Sequence, residues 1–218
     1  MDHERLTRAQ RKQQTRERLF DAARTAFLEK GVAATSVEEI AEAAGYTRGA
    51  FYSNFGGKQE VLAELLRRDA VLARENLQAV VEKGGTLKDT LARAIACYSN
   101  GELDSDCFPL WIEAQLLARR DNLLGERLDV LRRETLVHVS NCMRTFAEDA
   151  DGALRVDAGA LAVALVSLCD GIQLFRMCNP QTAKDLAIQS VLAELASCMS
   201  WQTREKKRAD AHRAKETA

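Results

Sequence analysis

Gly45, inside the stretch SVEEIAEAAGYTRGAFYSNFGGK at residues 36–58, constrains this chain more than any other residue. Before it, Val37, Ile40, Ala41 and Ala44 recur at helical spacing and predict a short helix over 37–44. A glycine there suits a helix end that needs left-handed backbone. After it, Thr47 is placed to cap a second helix running from 48 to about 55. Two short helices about a tight glycine turn form a helix-turn-helix, whose second helix is shaped to enter a DNA major groove.

The chemistry of that second helix divides by face. Phe51 and Phe55, one turn apart, point inward, which leaves Arg48, Gly49, Tyr52, Ser53 and Asn54 outward, followed by Lys58. None of the outward residues is acidic. A surface that meets DNA needs donors for phosphates and base edges and no carboxylate to repel the backbone. Gly49 and Ala50 are small enough for close approach. An ordinary helical hairpin with a solvated face is the competing reading; the glycine, the cap, the aromatic pair and the lack of acids weigh against it.

Upstream, residues 3–16 carry Arg5, Arg8, Arg11, Lys12 and Arg16 against Glu4. This is either a basic arm able to reach DNA or a solvated terminus. Thr15 is expected to cap a long helix reaching about residue 30. Leu19, Phe20, Ala23, Phe27 and Leu28 form its apolar stripe, and Gly31 ends it.

Through Ala23, Phe27, Gly31, Thr35, Ile40, Ala41, Ala44, Gly45, Phe51, Tyr52, Phe55, Lys58 and Leu62, residues 15–65 resemble the DNA-binding domain of the TetR (tetracycline-repressor-like) family of bacterial transcription regulators. The resemblance covers the N-terminal quarter of the chain. It implies phosphate contacts from Thr47, Tyr52 and Lys58, base-edge positions for Arg48 and Gly49, and backbone-facing positions for Thr35 and Ser36. Asn54 stands where many relatives carry His or another polar residue. Arg48 is the expected reader of sequence, since arginine pairs bidentately with guanine; a plain phosphate contact is its competing role.

The 218 residues carry a net charge of −1, so nucleic-acid affinity must come from a local patch. With two prolines, 12 glycines and no alternating apolar runs, the expected class is all-α. The expected organisation is an arm and three-helix helix-turn-helix domain over 1–58, a six-helix effector-binding and dimerisation domain over 59–201, and a polar, basic tail over 202–218. The six helices are expected near 58–83, 86–100, 110–120, 122–150, 157–178 and 182–201. No apolar run is expected to approach the roughly 20 residues of a membrane span, and a charged N-terminus without an apolar core argues against a signal peptide. The expected location is cytoplasmic.

Cys97, Cys107, Cys142, Cys169, Cys178 and Cys198 show no C-x-x-C and no metal-ligand spacing. They read as apolar fillers, with a thiol-based redox regulator as the alternative. His138 and Cys142, one turn apart, are the nearest approach to a metal pair, and zinc takes four ligands. No metal or cofactor is expected. Without a nucleophile–base pair, phosphate loop or metal motif, an enzyme is not expected either.

The helix at 157–178 is apolar on nearly every side and must be covered on every side. Together with the helix at 182–201 it is expected to form an isologous four-helix homodimer seam, the mode of association the resemblance implies. A small, partly apolar effector is expected among Tyr98, Phe108, Trp111, Gln115, Cys142, Phe146, Cys169, Gln173 and Phe175, each of which also serves as plain core. The helix starting at Lys58 is the expected lever between effector and operator DNA.

Overall fold

The computed structural model describes residues 7–85, 89–90, 93–94, 107–149, 152–153, 156–179 and 202–203. Its helices are α1 (Arg8–Ala34), α2 (Val37–Ala43), α3 (Arg48–Tyr52), α4 (Lys58–Glu82), α5 (Phe108–Ala118), α6 (Asn122–Asp149) and α7 (Ala158–Cys178). Among the described residues the fold is all-α but for a two-residue antiparallel pair, β1 (Gly152–Ala153) with β2 (Gln202–Thr203), in which Gly152 faces Thr203. The expected tail therefore begins in this pair. Of the helix expected over 86–100 only residues 89–90 and 93–94 are described, and these are helical; the helix expected over 182–201 and the tail beyond 203 lie outside the described residues.

α1 begins well before the expected Thr15. Thr7 caps it: its hydroxyl accepts from Gln10 N at 3.2 Å, and the Gln10 side chain accepts from Thr7 N at 2.7 Å. This reciprocal box satisfies two amides that a helix start leaves free. Thr15 is a mid-helix residue whose hydroxyl donates to the Arg11 carbonyl at 2.9 Å. The basic segment is thus helical from Arg8 onward, with Arg8, Arg11 and Lys12 exposed.

At the far end the expected stop holds. Gly31 sits at φ +80 and breaks the helical path within α1. The break frees backbone polar groups that must find partners. The buried Thr35 hydroxyl donates to Gly31 O at 2.8 Å and to Ala26 O at 3.2 Å. Lys58 Nζ donates to Val32 O at 2.8 Å and also to Thr35 O. Glu113 Oε2, from α5, accepts from Val32 N at 2.8 Å. A Cβ at residue 31 would meet that carboxylate at 2.8 Å, so conformation and space both demand glycine.

These bonds explain a departure from the expected boundary at 58/59. The contacts divide the chain into one unit of Met1–Asp69 with Asp106–Val130 and another of Ala70–Ser105 with Leu131–Ala218. α5 and the start of α6 therefore belong with the helix-turn-helix. The first unit closes over Leu19, Phe27, Ile40, Phe51, Leu62, Leu110, Leu124 and Leu128, all buried. Burial of each such side chain contributes roughly 1.5–3 kcal/mol, so this apolar core outweighs the surface ion pairs.

One ion network in this unit is better built than the rest. The Arg68 guanidinium forks onto Glu17 at 2.8 and 3.1 Å, reaches Glu64 at 2.9 Å, and lies 3.9 Å from the Phe20 ring centroid. Hydrogen bonds from Arg67 and Arg68 outweigh burial and hold the Glu64 carboxyl down at about 2, and the Arg68 hydrogen bond lowers Glu17 as well.

In the second unit, α7 buries Ala158, Leu161, Ala162, Leu165 and Ile172 and is capped by Asp157, whose side chain accepts from Ala160 N at 3.0 Å. Arg132 pairs with Asp170 at 2.8 Å, and Arg74 with Glu134 at 2.9 Å. The outer side of α7 leaves Val163, Leu174, Phe175 and Met177 exposed. Contrary to expectation, α7 is long and apolar enough to cross a membrane by length and composition, with a mean hydropathy of 1.8. A sequence reading passes over this because Asp170 and Arg176 interrupt the run.

The two lowered carboxyls give the first unit a defined acid response. Each titrates lower in the fold than the ordinary 4.5 of an unfolded chain. Their stabilisation is therefore complete above pH 4.5 and is lost as pH falls toward about 2. Melting temperature measured from pH 7 to pH 2 should fall across this window. Arg68→Met, which removes Glu17's partner and one of Glu64's two, should flatten part of the fall, and adding Arg67→Met should flatten it further.

Candidate nucleic-acid interface

The turn between α2 and α3 is built as the sequence predicts. Gly45 takes φ +75, and its N–H returns to Glu42 O at 2.9 Å while Tyr46 N bonds to Ala41 O at 2.8 Å. Nothing lies within 4 Å of a Cβ placed at Gly45, so backbone conformation alone selects glycine there. Thr47 caps α3, its hydroxyl accepting from Ala50 N at 3.2 Å. α3 ends at Tyr52, a turn short of the expected residue 55.

Phe51 and Phe55 are buried, with ring centroids 5.6 Å apart. Tyr52 meets Phe51 edge-on at 5.5 Å yet leaves 48% of its surface exposed. The Arg48 guanidinium lies 5.5 Å from the Tyr52 ring centroid. Thr47, Arg48, Gly49 and Ser53 are exposed beside it. The fold has room for a side chain at Gly49, where a Cβ would meet nothing nearer than Thr47 Oγ1 at 3.7 Å. Its absence keeps the outer surface low.

Three expected site residues turn inward instead. Thr35 is 1% exposed and bound to carbonyls at the α1 break. Lys58 is half-buried and holds carbonyls of the same break. Asn54 is half-buried and donates to Ala50 O at 2.8 Å, which caps the end of α3. Arg16, expected in a free arm, donates to Asn54 O and lies 4.1 Å from the Phe55 ring centroid. In each case a backbone end or aromatic face took the side chain. Ser36 is half-buried too and serves as the cap of α2: its hydroxyl accepts from Glu39 N at 3.1 Å. The backbone N–H of Ser36 and the ammonium of Lys30 hold Glu39 down at about 2.

Sequence reading misses one residue of this surface. Glu38, on α2, reaches across to Arg48 Nη1 at 2.7 Å, so the outer surface is not free of acids. The pairing links two helices through the turn, and no spacing within one helix signals it.

The expected effector residues divide between the two units. Phe108, Trp111 and Gln115 fall in the first unit, and Cys142, Cys169, Gln173 and Phe175 in the second. Gln115 and Phe175 are exposed, because the buried stripes run through Leu110 and Ala114 on α5 and through Leu161, Leu165 and Ile172 on α7. Tyr98 and the Phe146 side chain lie outside the described residues. The described cysteines Cys107, Cys142, Cys169 and Cys178 are thiols. Burial raises Cys142, and burial with the Asp170 charge pushes Cys169 up to about 12. Cys142 Sγ lies 3.8 Å from His138 Nε2, and burial with the Arg74 charge lowers His138, so neutral imidazole faces protonated thiol. Among the described residues no three His, Cys, Asp or Glu side chains could share a metal.

α2, the Gly45 turn and the capped, exposed α3 together form a helix-turn-helix unit. Residues 19–65 match the family model for bacterial regulatory proteins of the tetR family, which covers the N-terminal part of the chain. It is 48% identical over 54 residues to the HTH-type transcriptional regulator TtgR of Pseudomonas putida, covering 25% of this chain and 26% of that protein. The match thus spans about a quarter of that relative. The structure of SmeT, the repressor of the Stenotrophomonas maltophilia multidrug efflux pump SmeDEF, superposes with a TM-score of 0.63 at 27% identity, covering 88% of this chain and 92% of that one. The SmeT–triclosan complex aligns at TM-score 0.66 and 24% identity, covering 87% and 92%.

Lys58 generates a prediction that separates fold from contact. Lys58→Met leaves Val32 O and Thr35 O without their ammonium donor. The melting temperature should drop, at a cost of about 1–3 kcal/mol in unfolding free energy measured by urea titration.

Proposed function

We propose that this chain is a ligand-responsive transcription regulator that binds operator DNA as a homodimer, most simply as a repressor. The observation that carries the reading is the capped, exposed α3, which offers Thr47, Arg48, Gly49 and Tyr52 outward from a buried Phe51–Phe55 base. The family of the N-terminal domain and the repressor name of SmeT support it. Each head reads one half of a near-palindromic site, and a regulator of chromosomal genes works in the cytoplasm.

In this reading Thr47 and Tyr52 contact phosphates, Ser36 lies close to the backbone, and Arg48 reaches base edges past the bare Gly49. Thr35, Asn54 and Lys58 support the head from within. The exposed side of α7, with Val163, Leu174, Phe175 and Met177, covers its counterpart in a second copy. The effector is small and partly apolar, a reading that the SmeT–triclosan complex supports. It shifts the population toward a state with weaker affinity for DNA, by an amount set by its differential affinity. α4, which runs without interruption from Lys58 to Glu82, carries the change. Thiol sensing is the weaker reading, since Cys142 and Cys169 are raised and their thiolate fraction at neutral pH is small.

Selection of duplexes from a random pool tests the reading. The full-length protein should enrich a near-palindrome. Arg48→Ala should lose preference at one base pair of each half-site by about 1–3 kcal/mol, read from competition binding. Enrichment of no sequence would defeat the proposal. Phe175→Asp should shift the protein toward monomer in light scattering and weaken binding to the full site far more than to a half-site.

A further inference from the structure

Glu38 and Arg48 form an exposed ion pair at 2.7 Å, their side chains 57% and 64% accessible. Such a pair adds little to stability. Helix capping does not explain the acid either. Glu39, its neighbour, already completes the box with Ser36 and pairs with Lys30 at 3.0 Å. Glu38 makes no bond within α2 among the described side-chain contacts, and its carboxylate goes to α3 instead. A carboxylate beside a surface that meets phosphates costs affinity for every duplex. What it contributes must therefore be something other than affinity.

Its geometry supplies the answer. Arg48 is restrained from two directions, by the Glu38 carboxylate on one side and the Tyr52 ring at 5.5 Å on another. Nη1 is engaged by Glu38, while the guanidinium has five N–H donors in a fixed plane. The remaining donors are enough for the O6 and N7 acceptors of a guanine. An unrestrained arginine of this length would settle on the nearest phosphate, where it binds all sequences alike.

We propose that Glu38 is a specificity-determining residue that positions Arg48, holding its guanidinium toward base edges and away from phosphates. Discrimination is gained at the expense of general affinity. The inference rests on the reading of α3 as the DNA-facing helix.

The test uses the full-length protein, duplexes selected from a random pool, and competition against a shuffled duplex over a range of salt. Glu38→Gln keeps size and removes the charge. It should bind the shuffled duplex more tightly, steepen the salt dependence by about one released ion, and lose roughly tenfold in preference at the base pair that Arg48→Ala also loses. Adding Glu38→Gln to Arg48→Ala should change the preference at that pair no further. Glu38→Asp, which restores a carboxylate, should recover part of it. Melting temperatures should match wild type, since a merely structural acid would move these and leave base preference alone. Wild-type base preference in Glu38→Gln at every position would overturn the proposal while leaving DNA binding intact. A wild-type protein that selects no duplex would overturn both.

Discussion

Backbone polar groups freed where α1 breaks at Gly31 govern the assembly of the first unit. A helix that stops inside a fold must hand its carbonyls and amides to other donors and acceptors. Here one donor is local, Thr35, and the other partners come from far along the chain: Lys58 at the start of α4 and Glu113 on α5. One glycine thus draws two later segments onto the end of α1. The apolar core supplies most of the driving force; the polar bonds decide which segments share it.

Cationic side chains in this unit divide into two populations with different work. Arg16, Lys58 and Arg68 face inward, onto a carbonyl and Phe55, onto the α1 break, and onto Glu17, Glu64 and Phe20. Arg8, Arg11, Lys12 and Arg48 remain at the surface. A count of basic residues over the first 58 positions overstates the charge available to a phosphate backbone. The described surface is narrower than that, and one of its cations is tempered by Glu38.

Features written locally were legible in the sequence. Gly31 and Gly45 both stop helices, Thr47 and Asp157 both cap them, and Phe51 with Phe55 forms the inner side of the turn. The start of α1 departs from the expected Thr15, because Thr7 and Gln10 cap the helix a full two turns earlier and the Thr15 hydroxyl bonds back within it. What escaped are contacts between residues far apart: Glu113 with Val32, Lys58 with Thr35, and Glu38 with Arg48. Resemblance placed Thr35, Asn54 and Lys58 at DNA, because a motif marks positions without saying which way a side chain turns. The effector residues were least legible, since half-buried aromatics and glutamines carry no pattern that distinguishes a ligand's wall from a helix's own packing.

The carboxylate of Glu113 also bears on how a helix-turn-helix head of this build can be recombined. A chimera joined just after residue 58 would carry the reading helix but leave behind the acceptor for Val32 N and the α5 surface that closes the core. The transplantable module is therefore discontinuous in sequence, and a graft of this head onto a foreign body must bring α5 with it or rebuild that acceptor on the new scaffold.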